Sequence, residues 1–345
     1  MERNNLKARV VKIEDLGRQE IEIWNNICRN FLSLSSPFYS PHYARAVADA
    51  GNDVRVCILL LDEVICGFLP FQFANQFAAW TRAAEPVGAN MTDYFGVIAD
   101  PCLSVTTKQL LHLAGLSYFG FSHLPASQLA YGLEGEQPRT GLRIRLHPFA
   151  EDPLAKLLEN NRKYYKDTER RERQLGKEVG PMRFEFDVQE NRQEIIAKLI
   201  ESKRAQYSRT NASDALKEKW KQDLLLILSR HNFDTCRGVL STLFAGEEWV
   251  AIHFGIFGNG VLQYWLPVYN PSMAKYAPGR LLIHQIIKAA VAGPINIIDR
   301  GEGDTASKRE LANEEHLFYK GVWHDNSAVS GINRGIQSLK WRLSI

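Results

Sequence analysis

The sequence predicts an α/β fold, and three observations carry that prediction. Several segments repeat apolar residues every three or four positions, which is typical of amphipathic helices. Others are short apolar runs bounded by turn residues, which is typical of strands. The two kinds alternate along a chain of 345 residues that is 45% hydrophobic and 23% charged. Such a composition excludes disorder for the bulk of the chain, and the length allows two or three domains or one large one.

The first half of the chain begins with helical periodicity and continues with a hairpin. Apolar positions between residues 20 and 50 predict one helix, and Pro41 is placed to open a second short one. Two strand-like runs, 54–61 and 64–73, flank Asp62-Glu63 and predict a hairpin. An irregular loop over 86–96, a helix over 106–113 and strands over 117–124 and 141–146 complete this half.

The composition shifts near residue 150 toward charged helix formers, so we expect a domain boundary there, with units 1–150 and 151–345. The helical segment 152–177 carries a basic face. A solvated surface is one interpretation of it, and contact with an anionic partner is the other. Further predicted elements follow: strands 183–188, 237–244, 249–257, 261–267, 295–299 and 316–323, and helices 192–207, 215–230 and 280–292.

Charge, cysteine usage and missing motifs exclude several classes. Lys and Arg number 42 against 39 Asp and Glu, a net charge of +3, so we expect no nucleic-acid partner. We expect no membrane span, because no run of about 20 apolar residues occurs. Five scattered cysteines indicate a reducing, cytoplasmic setting. Phosphate-loop, dinucleotide and zinc-protease motifs are absent, and we expect no metal site. Gly120-Phe-Ser-His-Leu124 lacks the last glycine of a nucleophile elbow.

The informative stretch runs from residue 249 to 308. A strand ends near Pro267, which lacks an N–H group and predicts that neighbouring strands part there. A loop then leads into a helix whose N-terminal N–H groups and dipole can hold a diphosphate without a metal. Arg280 could add a bidentate contact. A plain Pro-Gly turn with a helix cap is the alternative, and the spacing leaves both open.

Several stretches together resemble the GNAT superfamily of acyltransferases, closest to a bacterial branch of cellulose-biosynthesis-type acetyltransferases related to the Fem-type peptidyl transferases. The stretches that carry the resemblance are 161–175, 203–207, 250–255, 264–269, 276–282 and 299–304 with Lys308. The superfamily's phosphate loop, R/Q-x-x-G-x-G/A, is replaced here by Pro278-Gly279-Arg280. Coenzyme A or the aminoacyl-tRNA of Fem-type relatives therefore both stay open as donors.

The resemblance implies two tandem GNAT-like subdomains, each a mixed, largely antiparallel sheet flanked by helices. It implies an N-acyltransferase that binds its donor in the C-terminal subdomain and its acceptor at the N-terminal side, with direct attack of an amine on a thioester. Acyl-CoA or an acyl-carrier protein would be the co-substrate, without a tightly bound cofactor. An amino sugar, amino acid or peptide would be the acceptor. The alternatives are a Fem-type aminoacyl-tRNA-dependent transferase and a non-catalytic binding protein of an exopolysaccharide system.

Candidate residues follow from these assignments. Asp299, Glu302 and Asp304 end a strand in a glycine-containing loop, where a solvated acidic turn is the alternative. We expect the base to be Glu302 or Asp304, because Asp299 is placed to end the strand. His253 is a further candidate base, and Tyr276 is the candidate acid that protonates the thiolate. The candidates for donor binding are Pro267, Ala277, Gly279, Arg280 and Leu281, and those for acceptor binding are Asp93 and Tyr94. Lys308 and Arg309 could bind an anionic group of a substrate or pair with Asp304.

Overall fold

The structure is a computed structural model that describes residues 6–146, 157, 161–327, 330, 331 and 333. The contacts divide the chain into two units, one from 1–139 with 317–345 and the other from 140–316. The predicted helical segment 152–177 lies outside the described residues before residue 161, except for residue 157. The assignment of acceptor binding to residues 1–150 and of donor binding to residues 151–345 stays a prediction.

Thirteen strands and nine α-helices are found in the described residues. The strands are β1 (Leu6–Lys12), β2 (Asp53–Leu61), β3 (Val64–Phe73), β4 (Ala83–Ala84), β5 (Ile98–Ala99), β6 (Tyr118–Pro125), β7 (Gln137–Arg145), β8 (Met182–Glu185), β9 (Arg237–Ala245), β10 (Glu248–Gly258), β11 (Val261–Tyr269), β12 (Ile297–Glu302) and β13 (Glu314–His324). The helices are α1 (Arg18–Asn30), α2 (Pro41–Asp49), α3 (Gln76–Trp80), α4 (Thr107–Leu113), α5 (Arg162–Glu178), α6 (Arg192–Arg209), α7 (Lys219–Arg230), α8 (Pro278–Val291) and α9 (Ala306–Arg309).

The first unit contains the predicted hairpin. β2 and β3 pair antiparallel up to Leu61 opposite Val64. The two turn residues, Asp62 and Glu63, have positive φ angles of 50° and 67°, as a tight two-residue hairpin turn requires. Antiparallel pairing extends this hairpin into a four-stranded sheet in the order β1-β2-β3-β5. A separate strand group pairs β6 with β4 in parallel and with β13 in antiparallel orientation.

The second unit is a mixed sheet in the order β7-β12-β11-β10-β9-β8. All of its pairs are antiparallel except β11 with β12. Helices α5 and α8 pack on one face through an apolar core that includes Leu175 and Leu282. Leu228 of α7 approaches Gly238 of β9, while the next residue, Val239, lies in the core beneath α8. Because side chains alternate along a strand, α7 covers the opposite face, and α6 packs beside it.

Element boundaries differ from the predicted ones mainly at helix starts. Helix α8 begins at Pro278 rather than at residue 280, because proline is suited to the first helical position. Helix α7 begins at Lys219 rather than 215. Strand β12 covers Ile297–Glu302 rather than 295–299. Asp299 therefore lies inside the strand and does not end it.

A bulge in β11, where Tyr264 and Trp265 lie opposite Gly255 of β10, leaves no room for a side chain at Gly255. The β10–β11 register shifts between Phe254 and Ile256. A Cβ atom built on Gly255 would lie 2.6 Å from the carbonyl oxygen of Gln263 and 2.6 Å from Cε1 of His253. One of these contacts is backbone, so the strand pair itself would have to move.

We expect Gly255→Ala to lower the free energy of unfolding by about 1–3 kcal/mol because of this overpacking. The matched control is Gly176→Ala in α5, where an added Cβ meets nothing within 4 Å. That control should gain up to about 1 kcal/mol, since alanine is a better helix former. Urea denaturation measures both, and equal stability of wild type and Gly255→Ala would contradict the packing described.

Candidate active site

The central feature of the second unit is an opening between its two parallel strands. Among the described residues, β11 and β12 pair at three positions, the last being Gln263 with Asp299. Beyond that point β12 continues along β7, and β11 continues along β10. We call the space beyond Gln263 and Asp299 the strand opening. It begins several residues before Pro267, so the proline does not start the separation, as the sequence had suggested, but lies within it.

The register decides which carbonyl groups face the strand opening. The N–H of Asn270 donates to the carbonyl of Val250 at 3.0 Å, so these two residues form a hydrogen-bonded pair. Hydrogen-bonded and non-hydrogen-bonded pairs alternate along antiparallel strands. His253 and Pro267 therefore form a non-hydrogen-bonded pair, which suits a residue without an N–H. The carbonyl of Pro267 consequently points away from β10, toward the strand opening.

A buried lysine reaches this carbonyl. Nζ of Lys203 on α6 donates to the Pro267 oxygen at 3.0 Å, and the residue is only 9% exposed. Burial lowers the pKa of its ammonium to about 8. Sequence reasoning quoted the stretch 203–207 but assigned Lys203 no role. The available signal was its spacing, because Lys203 continues the buried positions Ile196 and Leu199 at steps of three and four.

Four of the predicted donor-binding residues lie together at the N-terminus of α8. Ala277 is the cap, with a positive φ of 53°, and its carbonyl accepts from the N–H groups of Arg280 and Leu281 at 2.9 and 3.2 Å. A Cβ on Gly279 would meet nothing within 4 Å. The Leu281 side chain is fully buried. At this helix end, the backbone at Gly279 is therefore the main group available to bind a donor.

Two carboxylates balance the charge of Arg280. Its Nη1 lies 2.8 Å from Oδ2 of Asp167, and its Nη2 lies 3.2 Å from Oε2 of Glu310. Its guanidinium carbon lies 4.3 Å from the ring centre of Tyr164. Asp167 also forms an i,i+4 pair with Arg171, at 2.9 Å, and hydrogen bonds from Arg171 and Arg170 hold its pKa at about 2. A phosphate at Arg280 would have to compete with these anions.

The predicted acid, Tyr276, is engaged by a carboxylate. Its hydroxyl donates to Oε2 of Glu178 at 2.7 Å, and Lys275 binds the same oxygen at 2.7 Å. The hydrogen bonds from Lys275 and Tyr276 hold the pKa of Glu178 at about 2. Tyr276 is 2% exposed. The two bonds join the loop before α8 to the end of α5.

The three acidic residues of the predicted catalytic loop have different surroundings. Asp299 is fully buried and lies 2.8 Å from Nε of Arg143, while its other oxygen accepts from the N–H of Gly301. Asp304 is exposed and pairs with Arg309, and the hydrogen bond from Arg309 lowers its pKa. Glu302 is half-buried at the end of β12.

The two basic residues that follow this loop have defined partners. Lys308 donates to the carbonyls of Arg300 and Glu302 at 2.7 and 2.6 Å, so it closes the loop onto β12. Arg309 lies between Asp304 and Glu315. The pairing of Arg309 with Asp304, one of the two alternatives drawn from the sequence, is present.

His253 does not have the environment that a base near neutral pH needs. It is fully buried and stacks on Tyr264 with ring centres 4.4 Å apart. Neither ring nitrogen has a hydrogen-bond partner among the described residues. Burial lowers the pKa of His253 to about 3. The ordinary histidine pKa near 6.5, on which its candidacy depended, is therefore lost.

The predicted acceptor residues lie in the first unit. Oδ1 of Asp93 is 4.0 Å from Nε2 of His123, whose Nδ1 is hydrogen-bonded to the Ser122 hydroxyl at 2.7 Å. Tyr94 is buried and packs edge-on against Phe318 with ring centres 5.0 Å apart. Asp93 was a candidate from the sequence, whereas its neighbour His123 was not.

Three global observations accompany the site. Within the described ranges, no group of three or more His, Cys, Asp or Glu side chains could hold a metal ion. No helix in those ranges combines the length and apolar character needed to cross a membrane. All five cysteines are free thiols, and Cys28, Cys57 and Cys236 are buried.

Comparisons with known proteins agree with this geometry. Residues 162–309, which include the strand opening and α8, match the family model described as an acetyltransferase (GNAT) domain. The fold is similar to FemX, with a TM-score of 0.59 and 10% identity over 91% of this chain and 96% of that one. It is also similar to the C-terminal domain of a protein described as a lysylphosphatidylglycerol synthetase from Agrobacterium fabrum (TM-score 0.52, 12% identity, 91% and 94% coverage). No curated protein matches the sequence.

The matched segment defines an acyltransferase, and the predicted α/β fold class, with mixed sheets flanked by helices, is confirmed. Residues 162–309 are the part of the chain that matches the GNAT domain, and the chain is similar in fold to FemX.

The buried His253 predicts a measurable pH dependence of stability. In the unfolded chain its imidazole binds a proton near pH 6.5, whereas in the folded chain it does so only near pH 3. The unfolded state therefore binds more protons between these values, and stability falls as the pH falls. We expect His253→Asn to remove about 1.4 kcal/mol per pH unit of this slope between pH 6 and pH 4. Urea denaturation at several pH values measures the slope, with the exposed His112→Asn as control. Identical slopes for wild type and His253→Asn would refute the assignment.

Proposed function

We propose that this protein is an N-acyltransferase that moves an acyl group from a thioester to an amine. The observation that carries the proposal is the strand opening beside the N-terminus of α8, inside the segment that matches the GNAT domain. Beyond Gln263 the outer edge of β11 has no strand partner among the described residues, and such an edge can hold an extended donor by main-chain hydrogen bonds. Acyl-CoA is the proposed donor and an acyl-carrier protein its variant.

The reaction is direct transfer without a covalent enzyme intermediate. The amine lone pair attacks the carbonyl carbon of the thioester, and the carbonyl π electrons move to the oxygen. The tetrahedral intermediate then collapses, the carbon–sulfur bond breaks, and its electron pair leaves with the thiolate. The amine loses one proton to a base and the thiolate gains one, so the products are an amide and a free thiol. The protein must position both substrates, stabilise the oxyanion and transfer these protons.

Glu302 is the better of the two predicted bases. It lies half-buried at the end of β12, the strand on one side of the strand opening. Asp304 is exposed and bound to Arg309, which lowers the pKa of its carboxyl and weakens it as a base. Lys308 supports the loop through the Arg300 and Glu302 carbonyls. Asp93 and Tyr94 in the first unit are proposed for the acceptor, and Tyr276 for the thiolate once its bond to Glu178 opens.

The proposal also includes the class of acceptor and the cell compartment. An amino sugar, an amino acid or a peptide would supply the amine. The five free thiols support a reducing compartment such as the cytoplasm.

A Fem-type aminoacyl-tRNA-dependent transferase is the second candidate function. One observation favours it: Asp167 and Glu310 already balance Arg280 at the helix N-terminus, where a coenzyme A diphosphate would need a free cation. In that case the leaving group is the ribose hydroxyl of an aminoacyl ester instead of a thiolate.

Calorimetric titration with acetyl-CoA, a long-chain acyl-CoA and coenzyme A, at low and high salt, tests the donor. We expect binding with a dissociation constant on the order of micromolar and a preference for one acyl length. Absence of binding to all three would reject acyl-CoA as donor. Titration with charged tRNA would then test the second candidate, whose affinity should decline steeply as salt rises.

A matched pair of variants distinguishes the roles of the Glu302 and Asp304 carboxylates. We expect Glu302→Gln to lower kcat by about 100-fold, the usual contribution of a general base, while donor affinity is retained. Asp304→Asn should keep kcat within about three-fold, because its carboxylate forms an exposed ion pair. Steady-state kinetics with the donor identified by calorimetry measures both. The reverse order of effects would assign the base to Asp304.

A further inference from the structure

The described residues include two buried lysines, and only one of them has an acidic partner. Lys221 on α7 lies 3.2 Å from a carboxylate oxygen of Glu218. Lys203 on α6 has no ion pair among the described residues. Its contacts are the Pro267 carbonyl at 3.0 Å and the ring of Tyr207, whose centre lies 5.3 Å from Nζ. A buried cation without a counter-charge costs free energy, so a functional reason for Lys203 is required.

The position of Lys203 supplies that reason. Its ammonium binds a carbonyl of β11, that of Pro267, which the register turns toward the strand opening. An ammonium has three protons, and the Pro267 oxygen accepts one of them. The described residues provide no hydrogen-bond acceptor for the other two. These protons therefore lie at the edge of the strand opening, in surroundings with little water, where a hydrogen bond from a charged donor is strong.

The charge of Lys203 and its two remaining protons indicate which ligand atom it can bind. A neutral acceptor oxygen can take one of these protons without removing Lys203 from Pro267. An oxygen that gains negative charge during a reaction is bound more strongly, because no carboxylate in the described chain competes for the ammonium. Arg280 differs in this respect, since Asp167 and Glu310 bind it on two sides. The charge of Lys203 is uncommitted, whereas that of Arg280 is not.

We propose that Lys203 is a catalytic residue that donates a hydrogen bond to the carbonyl oxygen of the acyl donor and stabilises the oxyanion formed on it. This inference rests on the proposed acyl transfer and names the group that holds the reacting carbonyl. The ammonium keeps its proton throughout: negative charge develops on the oxygen when the amine attacks and returns to the carbon–oxygen double bond when the leaving group departs. A lysine pKa lowered to about 8 by burial still leaves the protonated form in excess at neutral pH.

Paired ligands that differ by the acyl carbonyl test the assignment. The first pair is the ketone analogue of acetyl-CoA, in which a methylene replaces the thioester sulfur, and coenzyme A. The second pair is puromycin, which carries an aminoacyl carbonyl, and puromycin aminonucleoside, which lacks it. Calorimetry on the full chain gives the affinity ratio within each pair, so the two possible donors are tested separately.

We expect wild type to bind the carbonyl-containing member of one pair about ten-fold more tightly. Lys203→Met should reduce that ratio to within about two-fold. Lys221→Met, which removes the other buried lysine, should keep the wild-type ratio. If Lys203→Met does not fold by circular dichroism, Lys203→Gln replaces it, with the same expectation of a reduced ratio.

Each contrary result has a separate meaning. A ratio near one for both pairs in wild type, or an unchanged ratio in the Lys203 variant, overturns the role of Lys203 and leaves the proposed transfer intact. Failure of wild type to bind any of the four ligands overturns the proposed donors together with this inference.

Discussion

The separation of β11 from β12 after Gln263 and Asp299 is the constraint on which the rest of the site depends. While the strands are paired, their backbone groups satisfy one another. Once β12 follows β7 and β11 follows β10, the outer edge of β11 needs other hydrogen-bond partners. Lys203 occupies part of this edge at Pro267.

The distribution of charge near the strand opening is uneven. At the N-terminus of α8, basic side chains and carboxylates neutralise one another: Arg280 with Asp167 and Glu310, and Lys275 with Glu178. Arg309 and Asp304 do the same in the loop after β12. Ion pairs of this kind position loops and helices and leave little net charge for a ligand. The one buried cation without such a pair is, in the part of the chain that the structure describes, Lys203.

Much of the fold was predictable, because the apolar spacing of helices and strands is local. The hairpin around Asp62 and Glu63, the strand pair joined by Gly258-Asn-Gly260 and the helix after Pro278 all occur where the sequence indicated them. The site was less predictable. His253 was identified by residue type, yet full burial against Tyr264 removes its basicity. Tyr276 was identified by position, yet Glu178, 98 residues away in the chain, binds its hydroxyl.

The sequence by itself determined the fold class, the order of elements and the family resemblance, because periodicity, turn residues and motif order are properties of neighbouring positions. Tertiary structure decided which polar groups are available. Whether Arg280 meets Asp167 on α5, or whether Lys203 on α6 meets an edge carbonyl on β11, depends on strand register and helix packing across more than 60 residues of chain. A proton affinity depends on burial and on the nearest charges, and both are set only when distant segments pack together.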